Sequence, residues 1–467
     1  MENADLVIEN ATIVTMNDDL TILSGHALVV KDGRIVAIEP QGAVFEHYHT
    51  QKTIDGQDQF VFPGFINTHT HLFQNSLKGL GRGKPLLEWL DSSVRKALPE
   101  MHYSEVYLAA LSGCIENIRS GVTTILDYMY AHCSETGLDD AVVEAFDQCG
   151  VRGILGRVHA ELSADLGCAV NETEDMFFAD VDRLAHKLRG HPRIGLALGS
   201  GTVWELSGEG FRGMRRTADH YGIPITMHLD ETANDDEFAL QRYGISAAQL
   251  LDRNGVLGED FIGVHLVHLT EETMELLAKR RVKVSHNPVS NMILGSGVAP
   301  VPELKAMGLT VGLGTDGAAS NDSQNMLEVI KVASILHKCN HRDPALLPAA
   351  EVLRMATCEG ARVIGREKDL GSLEIGKKAD FFLFDPRNVA CVAMADPLNS
   401  LVYSANPSAV RTVVIDGRVV MEDGVILCVD EGAVIHNLQE SAYHLRQRTG
   451  LGNDINGRRI DIGPFQA

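Results

Sequence analysis

An α/β fold, a (β/α)8 TIM-type barrel carrying a small β-sandwich built from both termini, is what the sequence predicts, on three observations. Between residues 62 and 367, short continuous apolar runs alternate with amphipathic stretches of helical length, the pattern of βα units around a parallel sheet. Eight such runs can be counted, enough to close a barrel, and no Gly-x-Gly-x-x-Gly follows the first as a dinucleotide-binding sheet would require. Strand-rich segments of one kind flank this middle on both sides.

Taken in chain order, residues 1–61 form the first part of the sandwich. Ala11–Met16 and His26–Val36 are β-branched runs, and Asp32-Gly33 is a hairpin turn signal. The barrel strands are expected at Phe62–Asn67, Thr123–Asp127, Arg152–Val158, Ile194–Leu198, Ile223–His228, Phe261–Val267, Val282–His286 and Leu309–Thr315. Residues 368–428 return to the sandwich through Ala379–Asp385 and Thr412–Val420, with Asp416-Gly417 as a second turn. Residues 429–467 read as a helical tail ending in a polar, Gly-containing segment.

The chain has 467 residues, 45% hydrophobic and 22% charged, which is ordinary globular usage. Its 41 basic and 63 acidic residues leave a net charge of −22, spread along the chain. Such a surface repels phosphate backbones and anionic lipid, so neither nucleic acid nor a membrane surface is the expected partner. No run approaches the ~18 apolar residues of a membrane span. The acidic start Met-Glu-Asn-Ala-Asp is unlike the basic region of a signal peptide, and a cytoplasmic protein is expected. The eight scattered cysteines contain no Cys-x-x-Cys pair and are expected to be reduced thiols.

In a barrel the chemistry sits where the strands end at the C-terminal face, and here those ends collect metal-ligand residue types. His69-Thr-His71 closes strand one, and alternation sends residues i and i+2 to the same side, so both imidazoles can reach one ion. His228 ends strand five, His265 lies late in strand six, and Asp316 ends strand eight within Gly-Thr-Asp-Gly. Nitrogen ligands with one carboxylate favour Zn²⁺, with Fe²⁺ an alternative. Such an ion lowers the pKa of water toward ~7. Glu231, three residues after His228, stands where a carboxyl group can act as general acid and base.

The run Pro63-Gly-Phe-Ile-Asn-Thr-His-Thr-His71, with His228-Leu-Asp-Glu231, Val264–Thr270, Ser285–Asn291 and Gly314–Ser323, resembles the amidohydrolase superfamily. Within it the sequence is similar to the cytosine-deaminase-like branch, which includes 5′-methylthioadenosine/S-adenosylhomocysteine deaminases, guanine-type deaminases and s-triazine hydrolases. The resemblance covers nearly the whole chain, because Gly371–Asp380 and the flanking β segments match the family's split sandwich. It implies that His69, His71, His228 and Asp316 ligate one metal per chain, that Glu231 shuttles protons, and that His265 bonds the attacking water or the tetrahedral intermediate. Asp316 doubles as first acceptor of the water's proton. Binuclear relatives carry a bridging carboxylated Lys at the end of strand four, and Arg193 to Trp204 contains no Lys, so one ion is expected.

The implied activity is a metal-dependent aminohydrolase of an amino-substituted N-heterocycle of purine, pterin or triazine type, releasing ammonia. A hydrolytic dehalogenase or cyclic-amide hydrolase on the same scaffold is the alternative, and a non-catalytic scaffold protein a remote third. A homo-oligomer is expected from the resemblance and from base rates. Candidate substrate contacts are Gln74, which can read a ring carbonyl or amino group, Trp204, which can stack on a flat ring, Trp89, and Asn291 and Ser320 near strands seven and eight. Adenosine-type members hold ribose with a Glu about nine residues after a Trp. Counting from Trp89, Leu98 stands at that place, with Glu100 two residues on, and Gly201 aligns with their purine-bonding His. His132 and His159 are further pocket candidates, His286 near strand seven is expected either to shape the pocket or to act as a cap or a support behind it, and His337 with His341 reads as a surface pair.

Overall fold

A computed structural model describes residues 1–160, 167–455, 458–460 and 462–465. Among these residues a closed barrel of eight parallel strands forms the centre: β1 (Phe65–Thr70), β2 (Val122–Met129), β3 (Arg152–His159), β4 (Ile194–Ser200), β5 (Ile225–Leu229), β6 (Phe261–His265), β7 (Lys283–His286) and β8 (Thr310–Leu313). Closure runs through Asn67 of β1 opposite Leu313 of β8. Strands β2 and β3 are buried at every position, which is why they appear as unbroken apolar-rich runs instead of alternating ones.

Two sheets make the sandwich. One runs in the order Val425–Ile426, Arg418–Glu422, Val410–Ile415, Phe381–Phe384, Phe60–Pro63, Thr12–Val14 and Ile22–Leu23, and the other Arg34–Pro40, His26–Lys31, Leu6–Glu9 and Thr53–Asp55. Their shared core draws Leu6, Ile13, Leu28 and Val61 from the N-terminal part and Leu373, Phe381 and Val414 from the C-terminal part, so this core is complete only when both parts meet. Asp32-Gly33 and Asp416-Gly417 both turn with two successive positive φ angles, the geometry that a tight hairpin demands.

Phe62 and Pro63, expected in the first barrel strand, pair instead with Phe382 and Phe381 of the sandwich. The apolar run is continuous, and the chain changes layers at Gly64, where a Cβ would stand 2.0 Å from Thr123 Oγ1. The boundary after residue 61 therefore falls inside a sandwich strand. The layers are also tied by charge: the buried Arg152 guanidinium donates to Asp380 at 2.8 and 3.0 Å and to Asp416 at 3.2 Å.

The cysteines depart from expectation in one place. Cys133 and Cys168 form a disulfide, while the other six are free thiols. No spacing motif announces it, because the two are 35 residues apart and meet through the loops that follow β2 and β3. The helix Glu431–Thr449 packs on the helix Tyr103–Arg119, and Arg119 pairs with Glu431. Among the described residues no helix is long and apolar enough to cross a membrane.

Candidate active site and metal centre

The C-terminal ends of the barrel strands converge on one cluster of imidazoles. The ring centroids of His69 lie 4.7 Å from His71 and 5.0 Å from His228, and those of His228 and His265 lie 5.3 Å apart. Asp316 Oδ1 completes the group, 3.5 Å from His69 Nε2 and 3.3 Å from His71 Nε2. Among the described residues, two overlapping sets, His69 with His71 and His228, and His69 with His265 and Asp316, bring their ligand atoms within 4.8 Å of one another.

The imidazoles are oriented from behind. His71 Nδ1 donates to the Tyr128 carbonyl at 2.8 Å and His228 Nδ1 to the Gly201 carbonyl at 3.1 Å, which leaves each Nε2 as an acceptor facing the centre. Both ring nitrogens of buried His69 lack a hydrogen-bond partner. An orphaned buried imidazole is costly, and a cation held among His69, His71, His228 and Asp316 removes that cost, so the donor set fits a metal ion. The charge states of His69 and His228 agree, whereas at His71 burial lowers the imidazole but the Asp316 carboxylate outweighs it and raises the group above its ordinary value. Burial pushes His69 down to about 3, and burial with the neighbouring imidazoles pushes His228 well below its ordinary value, keeping both in the neutral form that binds metal. Burial alone would raise Asp316, but the imidazoles of His69 and His71, 3.5 and 3.3 Å from its Oδ1, hold it well below the usual carboxylate range.

Strained backbone aims these groups. Asp230, His265, Leu266 and Asp316 all adopt positive φ, at ~1–3 kcal/mol each for a residue with a side chain. Cross-strand bonds hold the bends: Leu266 N–H donates to the Leu229 carbonyl at 3.1 Å and Asp316 N–H to the His69 carbonyl at 3.0 Å. Glu231 follows one such bend. Its N–H donates to Asp235 Oδ2 at 3.1 Å, Ser296 Oγ donates to its Oε1 at 3.4 Å, and its Oε2 stands 3.5 Å from His265 Nε2. Burial, with the Asp316 charge nearby, raises Glu231 to about 8, so the group can hold a proton at neutral pH.

With this geometry in view, the comparisons with known proteins are consistent. The sequence model of the Amidohydrolase family matches residues 60–420. The chain belongs to the amidohydrolase family. It is 35% identical over 445 residues to a 5'-deoxyadenosine deaminase of Methanosarcina barkeri, covering 95% of this chain and 99% of the relative. It is 34% identical to a 5-methylthioadenosine/S-adenosylhomocysteine deaminase of Pelotomaculum thermopropionicum, covering 95% and 100%. Among solved structures it is similar to a zinc-bound adenosine deaminase from Xanthomonas campestris, with TM-score 0.89, 29% identity and coverage of 96% and 99%. It is also similar to the zinc complex of atrazine chlorohydrolase TrzN from Arthrobacter aurescens, with TM-score 0.86, 25% identity and coverage of 94% and 100%. As a member of this family the protein is a hydrolase acting on C–N bonds other than peptide bonds.

The amidohydrolase pocket opens beside the cluster. Gln74, Trp89, Trp204 and Ser320 all line it, together with His71, His228, Glu231, His265 and Asp316. Gln74 Nε2 donates to Tyr130 Oη at 2.9 Å, and its Oε1 has no partner. Ser320 Oγ donates to Asp316 Oδ2 at 3.0 Å. Asn291 stands outside this lining, and its Oδ1 accepts from His265 Nδ1 at 2.8 Å. Leu98 lines the pocket, whereas Glu100 turns to Arg448 at 3.4 Å. His132 and His159 are buried behind the wall, the first against Met129 and Asp139 and the second against Phe177. His337, expected at the surface, is buried with its Nε2 3.4 Å from His286 Nε2, while His341 is exposed.

Several lining residues had no counterpart among the expected contacts: Tyr128, Tyr130, Arg95, Glu205 and Asp235. The tyrosines were within reach, since alternation carried one and three residues past Asp127 places both on the same side at the mouth. Arg95 and Glu205 lie on segments whose direction depends on distant packing.

Proposed function

We propose that this chain is a hydrolytic deaminase of an amino-substituted N-heterocycle, working with one divalent ion held by His69, His71, His228 and Asp316. Zinc is the ion that three imidazoles and a carboxylate favour, with iron the alternative. When bound, the ion supplies a Lewis acid that lowers the pKa of water toward ~7. The single observation that carries the reading is the position of Glu231, buried against His265 at 3.5 Å and facing the same pocket as the ligand set.

The reaction adds water to the ring carbon bearing the amino group and ends as a ring carbonyl and ammonia. Ammonia leaves only once protonated, so a group is needed that takes a proton from water and returns it to nitrogen. Glu231 fits, because its raised pKa lets it exist in either form near neutral pH. His265, with Nδ1 committed to Asn291, offers an Nε2 that can accept a hydrogen bond from the attacking oxygen. Asp316, kept ionised, is the proposed first acceptor of the water's proton, and as a weak base it passes that proton on to the carrier Glu231 instead of retaining it. Gln74, Trp89, Trp204 and Ser320 are the groups proposed to hold the ring.

A dehalogenase is the second reading, favoured by the apolar wall of Leu86, Leu87, Leu90 and Leu98 and by the similarity to a chlorohydrolase. Halide needs no proton to leave, so Glu231 is less needed there. We also place the enzyme in the cytoplasm as a homo-oligomer, acting on a small molecule with no nucleic-acid or membrane partner. Ammonia and halide release from zinc-loaded protein, measured across aminopurines, aminopterins, aminotriazines and their chloro analogues, separates the readings. Ammonia from one ring class is the expected result, and halide without ammonia overturns the deaminase.

A further inference from the structure

We infer that a second cavity, behind the turn that follows the metal-ligand pair, is an effector site for a small amphipathic anion: an oxyanion group, carboxylate or phosphate, on an apolar body. The cavity has a volume of about 420 Å³. It lies between the 3-10 helix Leu72–Leu77, the helix Tyr103–Arg119 and the helix Glu431–Thr449, and shares no lining residue with the pocket beside the metal centre. Its polar lining is unfinished. Asn75 and Ser76 are 4% and 5% exposed, and Asn75 Nδ2, Asn75 Oδ1 and Ser76 Oγ all lack a hydrogen-bond partner. Buried polar atoms are rarely left so, and a bound ligand with acceptor oxygens pairs the amide N–H and the hydroxyl.

The charge of the lining selects an anion. Lys78 and Arg446 belong to it, and no Asp or Glu does. Lys78 is committed to Glu116 at 2.7 Å. Arg446 Nη2 donates to the Ile462 carbonyl at 2.8 Å, and among the described residues no carboxylate neutralises it, in a chain whose net charge is −22. A guanidinium left in this state is a fork for an oxyanion. Leu80, Leu438 and Phe465 supply the apolar wall for the rest of the molecule. One turn of chain separates this cavity from the metal centre. The 3-10 helix follows His71 directly; Gln74 on it lines the metal-side pocket, and Asn75 and Ser76, the next two residues, line the second cavity. A ligand bonded to Asn75 therefore acts on the turn that holds Gln74, whose Nε2 donates to Tyr130 Oη at 2.9 Å.

Binding of benzoate, phenyl phosphate and uncharged benzamide is measured by calorimetric titration on zinc-loaded wild type, Arg446→Gln and Ser112→Leu, the last placing a larger side chain in the cavity. At least one anion is expected to bind wild type, about tenfold or more weaker in Arg446→Gln, and to lose this binding in Ser112→Leu. The tighter of the two names the oxyanion. Benzamide binding as tightly as the anions overturns the choice of ligand. Equal anion binding in wild type and both variants places the anion at the metal centre and overturns the site, as does no saturable binding of either anion. Both tryptophans of the chain, Trp89 and Trp204, line the metal-side pocket and report on the coupling. Their emission is expected to shift with the same saturation as the calorimetric binding and to stay constant in Arg446→Gln at that concentration; constant emission in wild type with the anion bound overturns the effector role. Neither readout uses turnover, so both stand whatever reaction the metal centre performs.

Discussion

Glu231 Oε2 and His265 Nε2 face each other at 3.5 Å, and each is held from its far side. His265 is fixed through Nδ1 to Asn291, and Glu231 through its backbone N–H to Asp235. The two groups that handle protons in the proposed reaction are therefore placed before substrate arrives, so no side-chain ordering is left for the reaction step.

Glu231→Gln keeps the shape and the hydrogen bond from Ser296 but removes the proton carrier. Deamination is expected to fall by about 10²–10⁴-fold with metal content unchanged. Ammonia release and elemental analysis on one preparation check both halves.

Asn291→Ala leaves the His265 N–H buried without its acceptor, and Asn287 Nδ2, 3.5 Å from the same nitrogen, can then donate to it. The proton moves to Nε2, and the ring turns from acceptor to donor at the site. A loss of about 10–100-fold in kcat is expected, with KM little changed. Asn291→Asp, which retains the acceptor, is expected to recover most of it.

Arg152 and Asp380 form a buried bidentate pair between barrel and sandwich. Asp380→Asn leaves the buried guanidinium with the Asp416 carboxylate at 3.2 Å as its remaining charged partner among the described residues and is expected to cost about 3 kcal/mol. A denaturant midpoint indistinguishable from wild type would show that the two layers do not depend on this pair.

His132 tests the electrostatics away from the metal. Burial, with Arg157 nearby, pushes its imidazole down to about 3. The unfolded chain, with a pKa near ~6.5, binds the proton that the folded state refuses. Stability from this group is complete above ~6.5 and is lost as pH falls toward 3. His132→Gln removes the effect, so between pH 6.5 and 4.5 the stability difference is expected to move in the variant's favour by about 2 kcal/mol. Paired denaturation curves at the two pH values measure it.

Much of the architecture could be read from the chain because buried parallel strands leave unbroken apolar runs, and because His69, His71, His228 and Asp316 are metal-ligand residue types at strand ends. Where the reading slipped, the deciding contact was remote. Phe62 continues the apolar run of β1, and only its pairing with Phe382 assigns it to the sandwich. Cys133 and Cys168 meet across two loops with no motif between them. His337 keeps a helical spacing with His341 that suits a surface, yet it faces His286. Asn291 carries the right residue type for a substrate contact, and it is the packing of His265 that claims its oxygen.

The central claim is that one metal ion, held by three imidazoles and a carboxylate, is needed for amine release. Protein stripped by a chelator and titrated with zinc tests it most directly, with ammonia release followed at each addition. The rate is expected to start near zero, rise linearly and break at about one equivalent per chain. Full activity in the stripped protein, a break at two equivalents, or silence at full occupancy toward every amino heterocycle would contradict it.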